Sequence, residues 1–240
     1  MYHDMFGNPF EELRPLTRES LNELMDKFEA TRYAENGEHM RYELENEAFH
    51  FRNIATYIRE FEHDGRYGAY HDLLDAELIP AIYEELTSIA SVGDTITYIA
   101  KRDGKYGIVK ADGLGSVMHP FTCDSITPCS EHIDLCTFSR DGKMGLIQVG
   151  FDRCIELLPP LYDNLEEYPL TPYLQLCKDG KVGLYGATLP IPPIYDGIYL
   201  SQQLGWIKVK HQGTWGYIDS KGRYTDDINH AFLYHSSILL

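Results

Sequence analysis

The sequence predicts a mainly-β repeat protein: about five hairpin-containing units behind an α-helical N-terminal cap. Three observations predict it. One phrase recurs as Asp64-Gly65-Arg66-Tyr67-Gly68, Asp103-Gly104-Lys105-Tyr106-Gly107, Asp141-Gly142-Lys143-Met144-Gly145 and Asp179-Gly180-Lys181-Val182-Gly183. A degraded copy is Gln212-Gly213-Thr214-Trp215-Gly216. From Gly65 through Gly104, Gly142, Gly180 and Gly213 the steps are 39, 38, 38 and 33 residues, a period that marks repeat architectures. Apolar residues alternate on both sides of each copy, and a proline–tyrosine phrase recurs between copies.

Residues 1–53 read differently from the rest. Leu21, Leu24, Met25 and Phe28 fall at helical spacing after Pro15 and Thr17, and Glu23 with Lys27 forms an i, i+4 pair of favourable orientation. After Asn36-Gly37, Met40, Leu44, Ala48 and Phe51 lie near one helical face. Two helices are therefore expected, either as a solvated cap on a repeat array or as a docking segment. Residues 54–240 form the expected repeat domain.

There the period changes from helical to alternating. Phe61, Ala100, Phe138, Leu176 and Val209 stand three residues before each turn; Tyr98, Cys136, Leu174 and Ile207 stand five before. Mostly polar residues separate them, the pattern of a half-buried strand. Asp-Gly then fits a two-residue type I′ loop, which needs positive φ at both positions. Beyond it Tyr67, Tyr106, Met144, Val182 and Trp215 share a face with Ala69, Ile108, Leu146, Leu184 and Tyr217. Each unit thus opens with a β-hairpin. Gly68, Gly107, Gly145, Gly183 and Gly216 sit inside its second strand, where a missing side chain marks a bulge or a close neighbour, expected to be an aromatic ring.

The second half of each unit begins with proline: Pro80 to Leu86, Pro120 to Ile126, Pro159 to Leu165 and Pro192 to Ile198. Tyr83, Tyr162 and Tyr195 recur there, with Cys123 in the second copy. Because proline lacks a backbone donor, this piece reads as a turn leading into a short strand. The unit then has about three strands. That count favours an open, solenoid-like array over the alternative, a five-bladed propeller, whose blades have four. The C-terminal Ala231 to Tyr234 and Ile238 to Leu240 would supply a closing strand.

Gly-Lys-aromatic-Gly, an aliphatic strand, then Pro-Pro-x-Tyr-Asp-x-Ile resembles the WG repeat, also called the KWG repeat, of bacterial proteins. The matching stretches run from Gly180 to Ile198 and from Gly142 to Leu165, and Gln212 to Asp219 carries the namesake Trp215-Gly216. The resemblance covers roughly residues 55–230. Tyr, Met or Val replaces Trp in four copies, and the Pro-Pro piece is missing after Trp215. It implies a β-rich repeat scaffold and brings no catalytic residues with it.

Bulk composition narrows the function. A net charge of −16 argues against a direct nucleic-acid binder, which would carry a basic footprint. Residues 1–62 hold 14 acids and 7 bases, and residues 63–240 hold 23 acids and 14 bases, so acid density is highest at the N-terminal end. No run reaches 18 apolar residues, so no membrane span is expected. Five cysteines without an export signal fit a reducing cytoplasm.

Several residues invite chemistry. His119, Cys123, Cys129, His132 and Cys136 would supply zinc ligands, yet Cys123 and Cys136 occupy positions that are apolar in the other copies, and no Cys-x-x-Cys pair is present. Cys129 with His132 would make a thiol and base only if geometry joined them. Ala111 to Ser116 contains Gly-x-Gly but lacks the third glycine and a following helix for a phosphate loop. The recurrent acids suggest calcium ligands, though turn chemistry and amide capping account for them. The recurrent Lys or Arg reads as a solvated flank.

The expectation is a non-enzymatic protein-interaction module with a protein partner, one with a basic surface being compatible with the acidity, and no cofactor. The alternatives are an acidic inhibitor or immunity-type protein binding a basic effector, and an enzyme or metal protein using the Cys/His cluster.

Overall fold

The two-residue loops set the geometry of everything that follows them. The computed structural model describes residues 2–4, 9–10, 14–15, 58–71, 76–89, 96–130, 132, 134–150, 153–168, 171, 173–186, 189–201 and 205–233. In all five loops φ is 50–53° at Asp64, Asp103, Asp141, Asp179 and Gln212, and 72–83° at the glycine that follows. Two positive φ values make a type I′ turn, whose twist matches that of the flanking strands. Asp, Asn-like side chains and Gly tolerate this region, which is why the pair recurs.

The strands are β1 (Tyr2–Asp4), β2 (Pro9–Phe10), β3 (Arg14–Pro15), β4 (Ile58–His63), β5 (Arg66–His71), β6 (Ala76–Tyr83) and β7 (Glu85–Ser88). There follow β8 (Thr97–Arg102), β9 (Lys105–Lys110), β10 (Val117–Cys123), β11 (Ser125–Pro128), β12 (Leu135–Arg140), β13 (Lys143–Val149), β14 (Cys154–Tyr162) and β15 (Asn164–Glu167). The last are β16 (Leu174–Lys178), β17 (Lys181–Tyr185), β18 (Ile191–Tyr195), β19 (Gly197–Leu200), β20 (Ile207–His211), β21 (Thr214–Ile218) and β22 (Tyr224–Thr225). They form one six-stranded sheet, β2-β1-β4-β5-β6-β3, and four four-stranded sheets. Those are β10-β9-β8-β7, β11-β12-β13-β14, β15-β16-β17-β18 and β19-β20-β21-β22. The protein is mainly β.

The expected three-strand unit is corrected to four. The proline piece is itself a strand: Pro80 lies in β6, Pro120 in β10, Pro159 and Pro160 in β14, and Pro192 and Pro193 in β18. The strands β10, β14 and β18 are sheet edges, where a missing donor leaves no neighbour unsatisfied. Leu86, Ile126, Leu165 and Ile198 lie in β7, β11, β15 and β19, each of which joins the next hairpin in sequence. In the last sheet β22 takes the proline strand's place without a proline, pairing Tyr217 with Thr225 and Ile218 with Tyr224.

The N-terminal expectation also changes. The helices predicted over Thr17 to Phe28 and Glu38 to Phe51 lie outside the described residues. What is described of residues 1–53 is strand: β1 pairs antiparallel with β4, and β3 runs parallel to β6. Among the described residues there is no α-helix, and Ile228–His230 forms a single 3-10 turn. At the C-terminal end Ala231 bridges Asp219 and Leu233 bridges Trp206, while 234–240 lie outside the described residues.

Contacts divide the chain into two compact units, Met1–Ile126 with Val149–Ile155, and Thr127–Gln148 with Glu156–Leu240. The first is built on Ala69, Ile79, Tyr83, Tyr98, Ala100 and Val109. The second has one cluster around Cys129, Leu146, Leu165, Leu174 and Leu176, and another around Tyr173, Leu184, Ile191, Tyr195, Ile207 and Ile218. Phe61, Ala100, Phe138, Leu176 and Val209, placed by the alternation, are all buried. So are Ala69, Ile108, Leu146 and Leu184 on the second hairpin strand. In β9 and β13 consecutive residues are buried, so those strands are covered on both faces rather than half-buried.

The glycine within each second strand answers to the proline strand beside it. Tyr67 pairs with Tyr83 and Ala69 with Ile79, so Pro80, Ala81 and Ile82 bulge opposite Gly68 alone. The same mismatch sets Pro120, Phe121 and Thr122 against Gly107, and Pro192, Pro193 and Ile194 against Gly183. The strand preceding the bulge presses a carbonyl onto the glycine. A Cβ would lie 2.6 Å from Ile79 O at Gly68, 2.8 Å from His119 O at Gly107 and 2.6 Å from Leu158 O at Gly145. At Gly216 it would meet Thr225 O at 2.6 Å, and at Gly183 it would strike Ile191 O. The expected ring is present at four positions: Phe61 at Gly68, Phe121 at Gly107, Phe138 at Gly145 and Tyr224 at Gly216. At Gly183 the three nearest atoms are backbone of Ile191, Pro192 and Pro193. The constant partner is therefore the carbonyl.

Adding even a methyl group at these sites forces backbone to move. Gly68→Ala and Gly183→Ala are each expected to lose about 1–3 kcal/mol by overpacking. Thermal melting checks this, and the loss at Gly183 is expected although its nearest neighbours are backbone rather than a ring.

Candidate functional site

The most regular polar arrangement lies where each proline strand ends, beside the hairpin turn. There Tyr83 and Tyr195 are buried, Tyr162 is half-buried, and Cys123 fills the same place opposite Tyr106. Tyr83 stacks on Phe121 with ring centroids 5.7 Å apart, and Tyr195 meets His211 edge-on at 5.6 Å. An acid follows immediately in the sequence: Glu84, Asp124, Asp163 or Asp196.

These acids answer a problem that the turns create. The closing pair of a hairpin sets Arg102 opposite Lys105, Arg140 opposite Lys143 and Lys178 opposite Lys181. Like charges directly opposite one another are destabilising. Asp124 accepts from Lys105 at 2.5 Å, and Glu84 stands 3.5 Å from Arg66. Lys143 donates to Asp163 and Lys181 to Asp196. Arg140 pairs with Glu156 at 2.8 Å, and the Arg102 guanidinium lies 4.3 Å from the centre of the Phe121 ring. The lysines expected to be solvated flanks are thus ion-paired, although about half of each side chain stays in water.

The second carboxylate oxygen reaches the following turn. Glu84 accepts from Gly104 N at 3.3 Å, Asp163 from Asp179 N at 2.6 Å and Asp196 from Gly213 N at 3.1 Å. One carboxylate therefore joins its own hairpin's cation to the next hairpin's loop. Lys143 first, and then the Asp179 amide, hold the Asp163 carboxyl below its ordinary 3.8. Lys181 and the Gly213 amide do the same for Asp196. Gly65, Gly104, Gly142, Gly180 and Gly213 occupy the second loop position, where a Cβ would meet nothing within 4 Å. Only their backbone conformation asks for glycine.

The Cys/His group is largely apolar packing. His119 and Cys123 are both buried, with Nδ1 and Sγ 3.9 Å apart, and Nδ1 lies 3.2 Å from Pro120 O. Cys136 is buried opposite Ile147. Burial pushes the Cys129 thiol up to about 11, with Glu167 and Asp134 adding to the rise and the Thr137 backbone amide opposing it. His132 is not among the groups acting on it. A thiol so placed stays protonated at neutral pH and is a poor nucleophile. Among the described residues no three His, Cys, Asp or Glu side chains lie together as a metal site requires. In the Ala111 to Ser116 loop, Asp112 accepts from Leu114 N at 3.1 Å and Ser116 N at 3.2 Å, a local turn bond.

Trp215, carrier of the namesake dipeptide, stands apart. Alternation with Gly216 aligned it with Tyr217, yet its side chain is 46% exposed. No known protein family matches the chain, and no curated protein matches it either.

The carboxylates make acid stability readable. Their native pKa values lie below the unfolded value, so their contribution is present above about pH 4 and lost as pH falls through the depressed native values. Asp163→Asn combined with Asp196→Asn is expected to flatten the dependence of unfolding free energy on pH below pH 4. Urea unfolding across that range checks it; an unchanged slope would remove these groups from the acid response.

Proposed function

We propose that the chain is a non-enzymatic protein-interaction module built from five WG-type β repeats, the fifth carrying Trp215-Gly216. The observation that carries this reading is the recurrence of one device, turn, glycine, proline bulge and bridging carboxylate, through successive hairpins. A repeated scaffold of this kind offers surface rather than a single reaction centre. The proposed repeats are four-stranded, each taking its first strand from the preceding sequence unit, and the segment over residues 1–53 caps the first of them.

A partner with a basic surface is the favoured one, met in the cytoplasm. The support is charge: 14 acids against 7 bases in residues 1–62 of a chain at −16. Such density accelerates encounter with a cationic surface and loses that advantage in salt. An inhibitor or immunity-type role against a basic effector is the narrower form of the same proposal.

Glu35, Glu38, Glu43, Glu45 and Glu47 crowd one stretch of the segment. Changing these five to Gln is expected to weaken binding to the native partner about tenfold at low salt and to reduce its salt dependence. Unchanged affinity and salt slope in a folded variant would remove the acidic segment from binding.

A further inference from the structure

The last sheet differs from the others in what it shows to water. Its core face is Ile198, Leu200, Ile207, Val209 and Ile218. Its other face follows from the register: Gly197, Lys210 and Trp215 form one row across the strands, and Tyr199, Lys208 and Tyr217 the next. A Cβ on Gly197 would lie 3.4 Å from Trp215 Cη2, although β20 runs between the two residues. Neighbouring strands are about 4.8 Å apart, so the indole must lie across β20 to reach that far. A side chain at Gly197 would meet it at ordinary contact distance. The ring is 46% exposed, Tyr199 beside it is 51% exposed, and Lys208 Nζ sits 5.6 Å from the indole centre. Trp206 braces Tyr217 edge-on at 5.4 Å.

Charge separates this face from the turns. There Arg66, Lys105, Lys143 and Lys181 each hold a carboxylate. Lys208 and Lys210 form no salt bridge among the described residues, and the turn-flank cation is replaced by Thr214. A chain at −16 thus keeps Lys208 without a salt bridge beside the most exposed tryptophan and tyrosine among the described residues, while Lys210 acts on the Asp196 carboxylate. Trp and Tyr are the residues around which binding energy concentrates, and desolvating them beside a cation favours an anionic group in the partner. A lysine without an ion pair recruits a carboxylate, and the chain's overall negative charge opposes approach of a long polyanion such as single-stranded nucleic acid, which limits the occupant to a short acidic segment.

We propose that the outer face of the last sheet, centred on Trp215, Tyr199 and Lys208, docks a short acidic protein segment carrying an aromatic or aliphatic side chain. It rests on the reading of the chain as an interaction module only in taking a protein as occupant. The surface is separate from the acidic N-terminal segment and selects the opposite charge.

A short, fluorescently labelled random copolymer of glutamate and tyrosine, only a few residues long, is the probe, titrated by anisotropy against the full chain. Saturable binding that weakens with added salt is expected. Trp215→Ala should weaken it by about tenfold or more, Lys208→Glu by a similar factor, and Lys208→Arg should retain it. Lys208→Glu serves as the second variant because it removes no aromatic ring; circular dichroism verifies both folds. No binding of the copolymer, or equal binding by folded Lys208→Glu and parent, would overturn the proposal. Tighter binding of labelled oligothymidylate than of the copolymer would overturn it in favour of nucleic acid. These outcomes leave the acidic-segment reading standing, since that reading fails only if the Glu→Gln variant keeps full partner affinity.

Discussion

A carbonyl pressed onto a glycine is the constraint on which the hairpin array depends. Three residues of the proline strand bulge against one glycine of the hairpin at Gly68, Gly107 and Gly183, and no Cβ fits beneath the carbonyl. Proline suits the bulged strand because those residues owe no donor to the hairpin, and glycine suits the hairpin because the bulge comes so close. The two residue types recur together for one reason. The bulge also turns Ile82 and Ile194 out to solvent while it delivers Tyr83 and Tyr195 back to the core.

Charge is arranged on top of that packing. Type I′ turns bring the flanking residues face to face, and in three hairpins both are cations. The acid that ends each proline strand is carried by the bulge to the place where it neutralises one of them. Solvent-exposed ion pairs contribute little stability. Their consequence is register: the same carboxylate reaches the next loop, so one hairpin's position constrains the next. Where the lysine is replaced by Thr214, the local charge pattern breaks, and Trp215 lies open beside Lys208.

Much of the scaffold was legible because local chemistry dictates it. Asp-Gly pairs demand positive φ, period-two alternation places Phe61, Phe138 and Leu176 inside, and the strand glycines announce a close neighbour. Proline misled. A missing donor excludes proline only where a neighbour pairs on that side: β10, β14 and β18 end their sheets, and β3 meets β6 only at Ala76 and Glu77, away from Pro80; one sequence reveals neither. The carboxylate–lysine pairs were hidden for a related reason. Lys105 and Asp124 are 19 residues apart, and the bulged register of β9 and β10 brings them together. The exposure of Trp215 was invisible because alternation assigns a face without saying whether anything covers it.

Backbone and side chain are separable at Gly145, where both the Phe138 ring, at 2.5 Å, and Leu158 O, at 2.6 Å, would meet a Cβ. The most direct measurement is the stability lost on Gly145→Ala in two backgrounds, parent and Phe138→Leu, by urea unfolding. If the carbonyl sets the limit, shrinking the ring gives no relief and the loss from alanine is the same in both within about 0.5 kcal/mol. If alanine becomes neutral once Phe138 is leucine, the ring alone excluded the side chain and the account of the glycine–bulge pairing is wrong.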